Sequence, residues 1–374
     1  MFWGLANELA RLGHEIQAVT SDSLADGARA SLSEEQLADG VHVRRFRNRF
    51  NRLSAHFGGV FYRPDGMRQG IEDAAKWADV VHMGESRGPH NLWAASASQR
   101  CKVPLVWSPY GGLPQATGIR GIYRSAYDIA FTRSIIPCVD RFVAQTQHEK
   151  EVFLSHGAPA DRIRLIPLAV TGSDFESLPA RGLLRSRLGL GAKDHVVVSV
   201  ARLSPVKGLD MLVQSFAKLP RTPEGPFLVL VGWNHGAEPS LRSLAAELGV
   251  QDRVIFAGSL LGEDRKLAYV AADVFAMSPR VFEETSLAAL EAAACGLPTV
   301  LTAECEIPGL AEAGGGLVVD RNEAALAAGI GSLLNDPALR MNVGRAAKEA
   351  VRARFTIERV AALHNDLFQE VVHP

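Results

Sequence analysis

Residues 272–300 read ADVFAMSPRVFEETSLAALEAAACGLPTV, and the order of residue types in this stretch decides the fold. Val274 to Met277 is a short apolar run of the kind that forms a strand buried on both faces, and Ser278-Pro279-Arg280 breaks it. Thr285 or Ser286 then stands where a helix N-cap belongs. The helical run ends at Ala294, and Gly296-Leu297-Pro298 stops it before a second strand at Pro298 to Leu301. Strand, loop, helix and strand at this spacing form the repeating unit of a parallel sheet.

Outward from this stretch the alternation continues. Strands are expected at His195 to Val200, Phe227 to Val231, Arg253 to Phe256 and Gly316 to Val319, with helices at Leu209 to Leu219 and Ser240 to Leu248. The N-terminal half repeats the theme. A helix from Phe2 to Leu12 is followed by strands at Glu15 to Thr20, Val41 to Phe46, Asp79 to Met83, Val103 to Trp107, Arg141 to Gln145 and Arg164 to Pro167. The fold class is α/β, with two doubly wound Rossmann-like domains facing across a cleft. They are expected at residues 1–172 and 193–355, joined by a linker at 173–192, with a helix at 356–374 packing back on the first domain. A helix opens the chain where a parallel domain needs a strand to seed its sheet, so the first strand and its loop are expected to be missing.

Composition narrows the function classes. The 374 residues carry 40 basic and 41 acidic side chains, a net charge of -1, which offers no global field for nucleic acid. Any anion must be bound locally. Cys101, Cys138, Cys295 and Cys305 are far apart and form no metal-ligand spacing, so each reads as a reduced, packed thiol. No apolar run approaches the ~18 residues of a membrane span, and the first turns carry acid and base, unlike a signal peptide; the reading is cytoplasmic.

The chemistry-bearing residues follow from the strand ends. Arg202 and Lys207 leave the carboxyl end of the strand at Val196 to Val200, in VARLSPVKGLD (200–210). A guanidinium fork and an ammonium converging there suit a diphosphate. Thr285, Ser286 and Leu287 open the helix of the first-quoted stretch, where free amides and the positive end of the dipole favour an anion. Glu291, a turn further on, has the bidentate acceptor geometry for a ribose diol, and Glu283, before the cap, reaches hydroxyls of a bound sugar. As isolated side chains these are solvated charges; their shared placement at strand ends favours function.

Three other signals stay structural. Gly314-Gly315-Gly316 reads as a turn, and His82 and His148 lack a second ligand at metal spacing. Arg120, Arg124 and Arg133, interleaved with Ile119, Tyr123, Ile129 and Phe131, read as a solvated helix face, with peripheral docking at a membrane surface as the alternative.

These motifs resemble the retaining glycosyltransferases of family 4, which have the GT-B fold. VARLSPVKGLDMLVQSF (200–216) is similar to the family's Arg-x4-Lys-Gly segment, and residues 272–300 are similar to its Glu-x7-Glu and Ala-x-Gly-x-Pro pattern. Gly232 and Gly258, each closing a strand, also fit. IPLAV (166–170) and QTQHEKEVFLSHG (145–157) extend the likeness over nearly the whole chain. The resemblance implies a nucleotide-diphosphate sugar as donor and a saccharide or lipid-linked acceptor in surface polysaccharide or glycolipid assembly. Arg202 and Lys207 would neutralise the leaving diphosphate, Glu291 would hold the ribose, and Glu283, with backbone at Thr285 to Leu287, would contact the sugar. No cofactor and no metal are implied, in keeping with the lack of an Asp-x-Asp pair. SPYGGL (108–113) departs from the family, which often has His-Gly where this chain has Tyr110-Gly111; Gly112 follows, and the three are assigned to the acceptor or sugar side. With the expected loss of the first strand, Tyr110 keeps open an alternative, a catalytically impaired nucleotide-sugar-binding or assembly subunit. Another GT-B enzyme, such as an epimerase or a phosphorylase, matches the motif spacing less well.

Overall fold

The computed structural model describes residues 2–24, 28–30, 35–37, 40–52, 62–113, 125–223, 225–305 and 307–373, with backbone alone at 35–37. Arg120, Arg124, Ile119 and Tyr123, the core of the basic helix face read from the sequence, lie outside these residues. The chain divides into two units, one of Met1–Pro167 with Ile357–Pro374 and one of Leu168–Thr356.

In the first unit, α1 (Phe2–Arg11) buries Leu5 and Leu9, one helical turn apart, and leads into β1 (Ile16–Ser21). After β2 (Glu35–Leu37) and β3 (Val41–Phe46) come α2 (Met67–Trp77), β4 (Val81–Gly84), α3 (Pro89–Cys101) and β5 (Leu105–Ser108). Then follow β6 (Arg141–Ala144), α4 (Gln147–Ser155) and β7 (Ile163–Leu165). The strands form two sheets. β4-β5-β6-β7 is parallel throughout, whereas β1-β3-β2 pairs β1 with β3 in parallel and β2 with β3 antiparallel. This differs from the parallel sheet read from the alternation. Among the described residues nothing pairs with the second edge of β1 or of β4, and β2 is too short to carry a strand pattern. One core fills the space between sheet and helices, built from Met67, Met83, Leu105, Trp107, Phe142 and Phe153 with their neighbours.

The second unit begins with residues that pack into it. Helix α5 (Gly182–Arg187), inside the stretch 173–192, buries Leu184 and Arg185, and the Arg185 guanidinium donates to the carbonyls of Ala271, Gly191 and Asp194. Six strands follow, with their helices: β8 (Val196–Val200), α6 (Leu209–Ala217), β9 (Phe227–Val231), α7 (Glu238–Glu247), β10 (Val254–Gly258), α8 (Arg265–Ala271), β11 (Val274–Met277), α9 (Leu287–Ala294), β12 (Thr299–Thr302) and β13 (Gly316–Val319). Helices α10 (Glu323–Asn335) and α11 (Pro337–Arg354) close the unit, and α12 (Ile357–Val372) belongs to the first, packed on α1. The sheet order is β10-β9-β8-β11-β12-β13, all parallel. Strand order reverses between β8 and β11, so the loops leaving those two strands flank the crevice where doubly wound sheets bind ligands.

Candidate functional site

The loop after β8 is fixed by backbone contact with its neighbours. Leu203 N donates to Trp233 O at 2.8 Å, Ala201 N to Val231 O at 2.9 Å and Gly232 N to Gly258 O at 2.8 Å. A Cβ at Gly232 would lie 1.9 Å from Ala201 O, so only glycine lets the loops after β8 and β9 meet. The two glycines assigned to donor binding therefore sit in the seam that holds the Arg202 loop in register. Arg202 itself is exposed and has no ion-pair partner among the described residues.

Pro205–Lys207 forms one 3-10 turn, and Gly208, at φ 62°, starts α6. Here too the fit is tight, since a Cβ on Gly208 would lie 1.9 Å from Ser278 O. Arg280 N donates to Val206 O at 2.9 Å. The loops after β8 and β11 are thus stapled together, and across the seam Lys207 Nζ donates to Glu283 Oε2 at 2.6 Å. The two residues assigned separately to diphosphate and sugar form one ion pair.

Helix α9 starts at Leu287 with Ser286 as its cap, whose Oγ accepts from Ala289 N at 3.4 Å and donates to Met277 Sδ at 3.2 Å. Preceding it, Thr285 has φ 33°, a left-handed conformation uncommon for a β-branched residue, and its buried Oγ1 has no partner. Thr285 thus combines a strained backbone with an orphan hydroxyl at the N-terminus of α9.

Glu291 is buried because α9 is apolar all round and lies between the sheet and α11. Tyr269 Oη donates to its Oε2 at 2.8 Å, and Arg265 Nε lies 3.0 Å from its Oε1, a charge contact whose N–H is not aimed as a hydrogen bond. Arg265 also approaches Asp174 at 3.7 Å. Burial pushes the Glu291 carboxyl above its ordinary value, against the lowering effect of Tyr269 and Arg265. Sequence reading missed both partners. Their signal is the four-residue spacing of Arg265 and Tyr269 on α8, just ahead of the strand at Val274.

In the first unit, Tyr110 follows β5 with φ 50°, and its buried hydroxyl is unpartnered. Ser108 lies close enough to lower the phenol's titration slightly, and its own hydroxyl is 2.7 Å from His82 Nε2. Burial raises the phenol well above its ordinary value, so it stays neutral. The loop is clamped from both sides. Glu149, fully buried on α4, accepts from Gly111 N and Gln145 N, each at 2.8 Å. Arg87, itself at φ 57°, donates to the carbonyls of Gly112 and Leu113 and to Asp128, at 2.9 Å from Nε and 2.7 Å from Nη2. Burial alone would raise the Asp128 carboxyl, but His156, Arg87 and Thr132 together hold it far below the usual range. His82 packs at tilted or edge-on angles against Phe2, His364 and Phe368. Among the described residues, no three His, Cys, Asp or Glu side chains come together as a metal site, and no helix is long and apolar enough to cross a membrane.

Residues 181–350 match the family Glycosyl transferases group 1, and residues 1–169 match the Glycosyl transferase 4-like domain. The chain is 32% identical over 338 residues to a D-inositol 3-phosphate glycosyltransferase from Acidothermus cellulolyticus, covering 84% of this chain and 72% of that one. It is 31% identical over 247 residues to a GDP-mannose-dependent alpha-(1-6)-phosphatidylinositol monomannoside mannosyltransferase from Mycolicibacterium smegmatis, covering 61% and 64%. The fold is shared with Anabaena HepE, solved in complex with UDP and glucose, at TM-score 0.74 and 20% identity over 95% of this chain and 100% of that one. Two matching domains and a relative of this identity and coverage establish that the chain belongs to the family 4 glycosyltransferases of GT-B fold, enzymes that use a nucleotide sugar.

Proposed function

We propose that the protein is a metal-independent, retaining glycosyltransferase that moves a sugar from a nucleoside-diphosphate sugar to a saccharide or lipid-linked acceptor in surface polysaccharide or glycolipid assembly. The observation that carries this reading is the grouping of Arg202, Lys207, Glu283 and Glu291 around the strand-order reversal of the second unit. Charge builds on the departing diphosphate as the bond to the sugar breaks. Cations fixed beside it act where the transition state needs them, so the residues present supply the role a metal would otherwise play. Tyr110 is a neutral phenol and no base, which favours a transfer in which the leaving phosphate takes the acceptor's proton. The activities for which the two relatives are named extend the acceptor candidates to inositol phosphates and phosphatidylinositol glycosides.

The test begins with calorimetry of UDP-, GDP- and ADP-sugars, then turnover with and without a chelator, and NMR of the product's anomeric configuration. Retention, chelator-independent turnover, its loss in Lys207→Met and a lowered kcat/KM in Glu291→Gln are the expected results. Inversion, or full activity in either variant, would sink the reading. The second reading, a nucleotide-sugar-binding subunit without transfer, is motivated by Tyr110, and donor binding without turnover over a panel of acceptors would favour it.

A further inference from the structure

Helix α8 presents Arg265 and Tyr269 four residues apart, on one face, and each meets a different oxygen of the Glu291 carboxylate. The phenol is 1% exposed and Glu291 is 7% exposed. A phenylalanine would fill the same core volume without burying a hydroxyl beside a carboxyl, and buried polar pairs of this kind are commonly no more stabilising than apolar packing. The hydroxyl is therefore not explained by packing. The terminal torsion of a glutamate is soft, and a carboxylate touched on both oxygens from one direction is held with its remaining lone pairs facing the other. Arg265 is in turn steadied by Asp174, and a third of its side chain is exposed.

We propose that Tyr269 and Arg265 are positioning residues for Glu291: they fix the carboxylate in the orientation that receives a nucleotide's ribose diol, and so set donor affinity. The proposal rests on the reading of Glu291 as the ribose ligand. The ribose is remote from the bond that breaks and its contacts are alike in ground and transition states, so their loss appears in KM and leaves kcat in place. It also follows that neither residue contributes once Glu291 has lost its charge.

The experiment uses the full chain and four variants, Tyr269→Phe, Arg265→Ala, Arg265→Lys and Glu291→Gln, with UDP and GDP titrated calorimetrically and steady-state kinetics on the donor the screen identifies. Tyr269→Phe and Arg265→Ala should each raise Kd and KM about five- to tenfold with kcat within twofold, and Arg265→Lys should recover part of the loss. Added to Glu291→Gln, Tyr269→Phe should have no further effect. If Glu291→Gln leaves nucleotide affinity unchanged, the ribose reading itself falls. If Glu291→Gln weakens binding and neither α8 variant does, or if Tyr269→Phe keeps its full effect in the Glu291→Gln background, the positioning role alone is overturned. Should Tyr269→Phe fail to fold, Arg265→Ala, at a partly exposed site, decides the matter by the same criteria.

Discussion

The ammonium of Lys207 and the carboxylate of Glu283 lie 2.6 Å apart, joining the loops that follow β8 and β11 across the point where strand order reverses. Both side chains are only partly exposed, at 14% and 24%. On the proposed reading, an arriving diphosphate would share or displace this contact, and the freed carboxylate would then be available to sugar hydroxyls.

Replacing Lys207 by methionine should therefore lower kcat by about 10²–10³, the size of loss seen when one preorganised charge-stabilising donor is removed. The melting temperature should change little, because Glu283 keeps access to water. Activity within a few-fold of wild type would show that Lys207 does not stabilise the leaving diphosphate.

Tyr110→Phe separates function from stability. Its hydroxyl is buried without a partner, so removing it should leave the free protein equally stable or stabilise it by about 1 kcal/mol, while transfer falls. Denaturant unfolding and turnover measured on one preparation give both numbers. A variant that is destabilised, or one that turns over normally, contradicts a ligand-facing phenol.

Gly208→Ala and Gly258→Ala make a matched pair. Both glycines have positive φ, 62° and 71°, but a Cβ at Gly208 would strike Ser278 O whereas at Gly258 it meets open space. The expected cost is about 1 kcal/mol for Gly258→Ala, from backbone strain alone, and clearly more for Gly208→Ala. Equal midpoints in urea would mean that the seam between the two loops gives way freely.

Stability should also depend on two buried histidines of the first unit. Burial lowers His82 to about 3 and His364 to about 4, from an ordinary value of 6.5. The unfolded chain takes up these protons first, so stability is fully present above about pH 6.5 and falls as pH drops toward 4. Each group contributes a slope of about 1.4 kcal/mol per pH unit in that window. His364→Gln should flatten the slope by one proton's worth. An unchanged slope in unfolding free energies from pH 7 to 4.5 refutes the assignment.

The strands and most helices were legible because their signals are local. His195-Val-Val-Val-Ser-Val200 cannot be anything but a buried strand, and its observed span is Val196–Val200. Glu35-Gln36-Leu37 escaped notice because three residues without a β-branched or aromatic side chain carry no periodicity. Pairing is not local, which is why the division of the first unit into two sheets was out of reach. In the site, Arg202, Lys207, Glu283 and Glu291 could be found by residue type at strand ends. Their partners could not. Tyr269 reads as core aromatic at helical spacing, Arg265 as one charge in the run Glu263-Asp264-Arg265-Lys266, and a threonine with positive φ is the reverse of what residue preferences suggest.

Helix α9 carries Glu291 through the interior of the second unit, with Ala289, Leu290 and Ala292 to Ala294 buried around it. On the proposed reading, occupancy of that carboxylate and the integrity of that unit are linked. A nucleotide at 100 times its Kd adds about 2.7 kcal/mol to the unit that binds it. In a calorimetric scan, saturating nucleotide should move the heat absorption of residues 168–356 upward, so donor binding there can be read from a melting curve before any product is seen.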